Sequence, residues 1–83
     1  MRQIHLTPHL FNHVEVKNMF VILVYDMREF HPNERVDICL VYSNSNGVIA
    51  ARFEAIILEI EPSIALTTDL QVQRITVSRA EML

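Results

Sequence analysis

The sequence contains one cysteine, one glycine, three prolines and no tryptophan among its 83 residues. A lone Cys39 excludes an internal disulfide, on which small secreted domains usually depend. A lone Gly47 excludes a glycine-rich loop that could cradle phosphates. The chain also lacks a basic excess, because its net charge is −3. Dedicated nucleic-acid binders normally show such an excess, since phosphate neutralisation supplies much of their affinity.

Long hydrophobic segments are lacking as well. Residues 1–5 (MRQIH) do not have the apolar run of a signal peptide. The longest apolar stretch, residues 19–25 (MFVILVY), is far shorter than the roughly 20 residues that a membrane-spanning helix requires. Together with the single cysteine, these features lead us to expect a cytoplasmic protein with no membrane association.

What the chain does contain is apolar residues, which make up 51% of the sequence. A chain of this length forms one domain, so we expect residues 1–83 to fold as a single unit. Such a domain buries only about 60% of the surface that its unfolded chain exposes, and it needs an apolar-rich core to be stable alone. Valine, isoleucine and leucine supply that core here.

The first part of the chain is predicted to form a strand, a helix and a second strand. Residues 2–6 form a short alternating strand. Thr7 is suited to cap a helix that starts at Pro8 and runs to about Val16. Residues 19–25 are continuously apolar and rich in β-branched side chains, which predicts a central strand buried on both faces.

A hairpin is indicated further along. Residues 36–42 alternate between two strand faces, and Asn46-Gly47 then signals a tight turn. One face carries Val36, Ile38, Leu40 and Tyr42, and the other carries Asp37, Cys39 and Val41. Residues 48–60 have apolar spacing that also suits a helix, but the hairpin requires a strand partner. We therefore interpret residues 48–60 as a strand, which Pro62 ends.

The last strand is predicted at residues 70–77. Its apolar residues change parity between its two halves, which predicts a bulge near Gln73-Arg74. The element order is thus strand, helix and four strands in a meander-like run. An antiparallel, partly closed sheet with one packed helix fits this order.

Four short segments, in order along the chain, carry a family resemblance. Residues 4–11 (IHLTPHLF) have the form of a strand followed by a proline-containing helix entry, and residues 28–30 (REF) that of an Arg-Asp-Phe motif. Residues 33–34 (NE) stand in place of a Gly-Asp turn, since asparagine tolerates positive φ. Residues 70–77 are similar to a closing strand. On these segments the chain resembles the short bacterial and phage members of the ASCH superfamily.

The resemblance implies an α+β, mainly β fold: a small PUA-like (ASCH-type) half-open antiparallel β-barrel with one N-terminal helix. It also implies binding of RNA or a nucleotide. Some members of the superfamily hydrolyse acylated cytidine with a Lys, Thr and Glu set. Here residues 16–19 (VKNM) keep Lys17 but no threonine, and residues 21–23 (VIL) replace a Glu-Ile-Arg. These departures argue against a small amidohydrolase, and we expect no catalytic residues, no metal and no cofactor.

The candidate nucleic-acid-binding residues are Lys17, Tyr25, Arg28 and Arg35. Lysine and arginine would contact phosphate, and the tyrosine would stack on an unpaired base of single-stranded RNA. Two of these residues also have a purely structural interpretation. Lys17 suits the negative end of the helix dipole, and Arg28 could pair with a neighbouring carboxylate.

A second hypothesis comes from a different class of protein. The acidic balance and the apolar residues 21–23 favour a protein-interaction module, of phage or mobile-element descent, whose ligand pocket has decayed. Its partner would be another protein or a second copy, bound through an edge strand. A polar cleft onto which Lys17 and Arg28 converge would favour RNA, whereas a filled cleft and a flat apolar edge strand would favour a protein partner.

Two further patterns are typical of residues with a chemical role. His5, His9 and His13 recur every fourth residue, which is the spacing of zinc ligands on a helix. Pro8 places His5 before the helix, however, so we interpret the histidines as solvated surface residues. Cys39 has no histidine at a recognisable sequence spacing, and we interpret it as a structural thiol rather than a nucleophile.

Overall fold

The computed structural model of the chain describes residues 1–26, 29–44, 46–65 and 71–80. Within them it contains five strands and one helix. In chain order these are β1 (Arg2–Leu6), α1 (Pro8–Val14), β2 (Met19–Asp26), β3 (Arg35–Val41), β4 (Ile49–Ala65) and β5 (Gln71–Arg79). The protein is therefore mainly β, with one short helix near its N-terminus, as the sequence predicts.

The five strands form one curled, half-barrel sheet in the order β1-β3-β4-β5-β2. β3, β4 and β5 form an antiparallel meander, and β2 pairs antiparallel with β5. β1, however, pairs parallel with β3, so the prediction of a wholly antiparallel sheet is wrong. The parallel pair is possible because α1 and β2 intervene between β1 and β3 and provide the long crossover that parallel strands need.

The core lies on the inner side of the curl, where α1 packs against β3. The helix contributes Phe11 and Val14, and it ends at Val14 rather than near Val16. The Thr7 side chain makes no capping hydrogen bond, contrary to expectation; instead its carbonyl oxygen accepts the Phe11 N–H at 2.8 Å. No helix in the described part of the chain has the length and apolar character needed to cross a membrane.

The hairpin between β3 and β4 confirms the strand interpretation of residues 48–60. Asn46 and Gly47 both adopt positive φ, at 54° and 82°, as the Asn-Gly signal predicts. Pro62 does not end β4, which continues to Ala65. The proline lies where the β4–β5 register shifts, between Glu61 and Ile64. A residue without an N–H is tolerated in such an irregular part of a ladder.

The bulge predicted near Gln73-Arg74 coincides with a register shift of the β4–β5 ladder between Arg74 and Val72, but it does not lie in β5 itself. β5 pairs with β2 in unbroken register, from Met19 opposite Ser78 to Asp26 opposite Gln71. The extra residues at the two β4–β5 register shifts belong to β4. The change of parity in β5 has another cause: Gln73, a polar residue, is buried on the same face as the apolar core residues that follow it.

Candidate functional site

The candidate residue Lys17 lies just after α1, with its side chain exposed. Its backbone N–H donates to the Val14 carbonyl at 3.0 Å, and so the residue extends the end of the helix. Its ammonium donates to Nε2 of His13 at 3.2 Å. Both contacts are local, as expected for a lysine at the carboxyl end of a helix.

Arg35 begins β3 on the exposed surface. Its Nη1 lies 3.2 Å from Oε2 of Glu54, the acidic residue that β4 places near it, and both side chains are about half exposed. Arg35 therefore has a carboxylate partner that offsets its charge. An RNA phosphate would have to compete with Glu54 for this guanidinium.

The structure does not gather the described candidates into one cleft. Tyr25 is exposed near the end of β2 and is paired with Val72, whereas Lys17 precedes the start of that strand. Tyr25 follows Met19 by six positions, which is about 20 Å at strand spacing. Arg35 belongs to β3, from which β2 is separated by β4 and β5. Arg28, the fourth candidate, lies outside the described residues.

A shallow concavity lies elsewhere on the described surface, beside the start of β1. It measures about 830 Å³ and is lined by Met1, Arg2, Glu29, His31 and Glu34. The Arg2 guanidinium stacks over the Phe30 ring at 3.6 Å, donates to the Glu29 carbonyl at 2.9 Å and lies 3.5 Å from a Glu34 carboxylate oxygen.

Sequence reasoning missed Arg2 as part of this concavity. No periodic signal links Arg2 to Phe30, because the two residues meet only through the fold. The arginine's hydrogen bond to Glu29, ion pair with Glu34 and stacking on Phe30 hold the segment that leads into β3. These contacts give Arg2 a structural role, and Phe30 is the core plug that its apolar character suggests.

The thiol of Cys39 is fully buried in β3 and donates weakly to the Asp37 carbonyl at 3.6 Å. The parallel ladder sets His5 beside it on β1, a neighbour that sequence spacing could not reveal. Burial raises the pKa of the Cys39 thiol, and the negative charge of Asp37 raises it further, while Arg52 lowers it. A buried, protonated thiol is a poor nucleophile and metal ligand.

The three histidines at spacing four are all exposed. His5 contacts the Gln3 amide oxygen at 3.0 Å, and His13 contacts Lys17. Across the described residues, no group of three or more His, Cys, Asp or Glu side chains is arranged to hold a metal ion.

The most distinctive surface feature is an apolar stripe on β2. Four alternate side chains of this strand point outward and are 47–61% exposed; they are Met19, Val21, Leu23 and Tyr25, which we name the β2 stripe. The alternate residues Phe20 and Ile22 are buried in the core. The prediction that residues 19–25 are buried on both faces is therefore wrong for the single chain.

β2 is also an edge strand. In the described part of the chain it pairs with β5 on one side, and it stands last in the strand order. Its eight residues are in unbroken register, and residues 19–25 include no charge, proline or glycine. Natural edge strands are usually kept short or protected by such residues or by bulges. The opposite edge strand, β1, is shorter and exposes the polar Gln3 and His5.

Comparison with protein-family models, with curated proteins and with solved structures finds no match for this chain. The resemblance to the ASCH superfamily therefore stays a prediction. What the structure shows is the coarser architecture, a mainly β half-barrel with one short helix. Support for a function therefore comes from the side chains that the molecule exposes on its surface.

Proposed function

We propose that this chain is a protein-interaction module that binds an extended segment of another chain along β2. The observation that supports the proposal is the β2 stripe on a strand that, among the described residues, is paired along one edge only. The sequence of β2 is typical of a strand buried on both faces, but only its inner face is buried within the chain. A partner that adds a strand would satisfy the edge backbone and cover the sides of the stripe.

The magnitudes are consistent with this mode of binding. Four side chains that are each about half exposed amount to roughly 300–400 Å², which is in the range of the largest apolar patch on a typical monomer. An added strand covers the sides of these side chains, so it contributes less than the roughly 8–10 kcal/mol that complete burial would give. Association itself costs about 4–15 kcal/mol. The stripe therefore needs the additional backbone hydrogen bonds of a paired strand to give useful affinity.

The test is fluorescence anisotropy with a synthetic labelled peptide of alternating valine and threonine, flanked by lysines. A second peptide of the same sequence carries N-methyl groups on every backbone amide, so neither of its edges can donate to a β-ladder. At protein concentrations low enough for the chain to be monomeric, we expect saturable binding of the first peptide and none of the second. Equal binding of both peptides, or of neither, would contradict strand addition.

The matched protein variants are Leu23→Lys and Leu58→Lys. Both leucines are exposed, at 58% and 43%, but only Leu23 lies on β2. Leu23→Lys should abolish peptide binding, and Leu58→Lys should leave it unchanged. Circular dichroism of both variants confirms that the fold is retained.

RNA binding, which the family resemblance implies, is tested by the same anisotropy measurement. Short single-stranded RNA is titrated across a salt series against the protein and its Lys17→Ala and Arg35→Ala variants. Saturable binding that weakens with salt, and that either substitution removes, would replace strand addition as the proposed function. We expect flat titrations, because Arg35 already pairs with Glu54 and the net charge is −3.

A further inference from the structure

We infer that the strand bound by β2 is the β2 of a second copy of this chain. The two strands would run antiparallel about a twofold axis near Ile22 and join two half-barrels into one continuous sheet. This inference rests on the proposed function, because it names the partner for the same edge. The inferred species is a homodimer joined through the two β2 edges.

The first support is that β2 is complementary to itself in this register. A twofold axis at Ile22 sets Met19 opposite the partner's Tyr25 and Val21 opposite the partner's Leu23. On the inner face it sets Phe20 opposite the partner's Val24. Every cross-strand pair is thus apolar on both faces, which is the condition for a self-complementary twofold interface.

Charges on the outer face argue for pairing edge to edge rather than packing face to face. Arg74 of β5 lies directly beside Leu23, and its Nη1 is 3.8 Å from a carboxylate oxygen of Glu61. Both charged side chains are more than half exposed. Packing two outer faces together would remove this ion pair from water, which is costly. Pairing of the edges leaves it solvated.

The interface area is that of a dimer that forms with rising concentration. A standard interface buries about 800 Å² on each partner. Edge pairing covers the sides of the β2 stripe, which is less than about half of that area, and the backbone of an eight-residue edge adds to it. Because a twofold axis uses the same edge on both copies, it leaves neither β2 edge open to further strands.

Sedimentation equilibrium over a concentration series tests the inference. We expect the mass of the wild-type protein to rise from 9.7 kDa to twice that value as concentration increases. Leu23→Lys should weaken the association by at least about 100-fold, since it sets a charge in an apolar strand pair. Leu58→Lys should associate like the wild type.

Disulfide trapping tests the register. In a Cys39→Ser background, Val21→Cys and Leu23→Cys proteins are mixed and oxidised. The inferred register sets these two positions directly opposite each other, so the mixed dimer should form several times faster than either self-linked dimer. Equal rates, or faster linkage within one variant, would overturn the register.

The outcomes separate this inference from the proposed function. A wild-type protein that stays at 9.7 kDa at all concentrations, yet binds the valine-threonine peptide through β2, would overturn the second copy alone. A dimer that is unaffected by Leu23→Lys would overturn the β2 homodimer as well. If the wild-type protein also failed to bind the peptide, the proposed function would be overturned too.

Discussion

The side-chain Oε1 of Gln73 accepts a hydrogen bond from the backbone N–H of Phe30 at 3.0 Å, across 43 residues of sequence. Both residues are buried, and Gln73 is only 1% exposed. The bond anchors the segment that precedes β3 to the core face of β5. A polar side chain thus takes a core position because it satisfies a buried backbone donor.

Replacement of Gln73 by leucine should therefore destabilise the fold, although leucine is apolar and similar in size. The Phe30 N–H would remain buried without its acceptor, which costs about 1–3 kcal/mol. Urea unfolding measures the change. Gln3→Leu, on the exposed face of β1, is the control and should change stability by less than about 0.5 kcal/mol. An increase in stability for Gln73→Leu would contradict the anchoring role.

Gln73 also shows where sequence reasoning about this fold fails. Alternation of apolar residues predicted the strands well, and Asn46-Gly47 predicted the hairpin between β3 and β4. The same reasoning assigned the bulge to β5 rather than to β4, because periodicity places polar residues such as Gln73 on the surface. The parallel pairing of β1 with β3 depends on long-range contacts that carry no local signal.

The candidate site was less predictable than the fold. Residues 19–25 show the apolar character of β2, but their pattern cannot reveal which of the two faces the single chain leaves exposed. Position in the sheet decides that, and strand order is a property of the whole chain. The Arg2–Phe30 stack likewise joins residues whose proximity depends on the fold.

Asn33 adopts a left-handed conformation, with φ at 69°, and its N–H donates to the Ile57 carbonyl at 2.7 Å. Asn33→Ala should lower the free energy of unfolding by about 1–2 kcal/mol, because a Cβ without a compensating polar group is strained there. Asn33→Gly keeps the N–H and tolerates the positive φ, so it should retain wild-type stability within about 0.5 kcal/mol. Thermal unfolding of the two variants distinguishes them, and equal losses would contradict this explanation.

Arg2 stabilises the segment before β3 through its stack on Phe30 and its ion pair with Glu34. Arg2→Lys keeps the charge but loses the planar guanidinium, and we expect it to cost about 0.5–2 kcal/mol. A double-mutant cycle of Arg2→Ala with Glu34→Ala, followed by urea unfolding, separates the ion pair from the stack. A coupling energy equal to the whole loss from Arg2→Ala would leave no contribution for the stack.

Cys39 should make the stability of the protein fall at alkaline pH. Burial raises the pKa of its thiol, and Asp37 adds to that effect while Arg52 partly offsets it. The native state therefore holds the thiol proton to a higher pH than the unfolded state, in which the thiol has a pKa of about 8.5. Because the unfolded state then binds fewer protons, the free energy of unfolding decreases as pH rises through this window.

The thiol's contribution is thus fully present below about pH 8.5 and is lost as pH rises toward the raised native pKa, by up to about 1.4 kcal/mol per pH unit. Urea unfolding of the wild type and of Cys39→Ala between neutral and alkaline pH measures it. Because other groups titrate equally in both proteins, the difference between the two profiles isolates the thiol. We expect the advantage of the wild type to shrink above that pH, and a difference that stays constant would show that the thiol has the same pKa in both states.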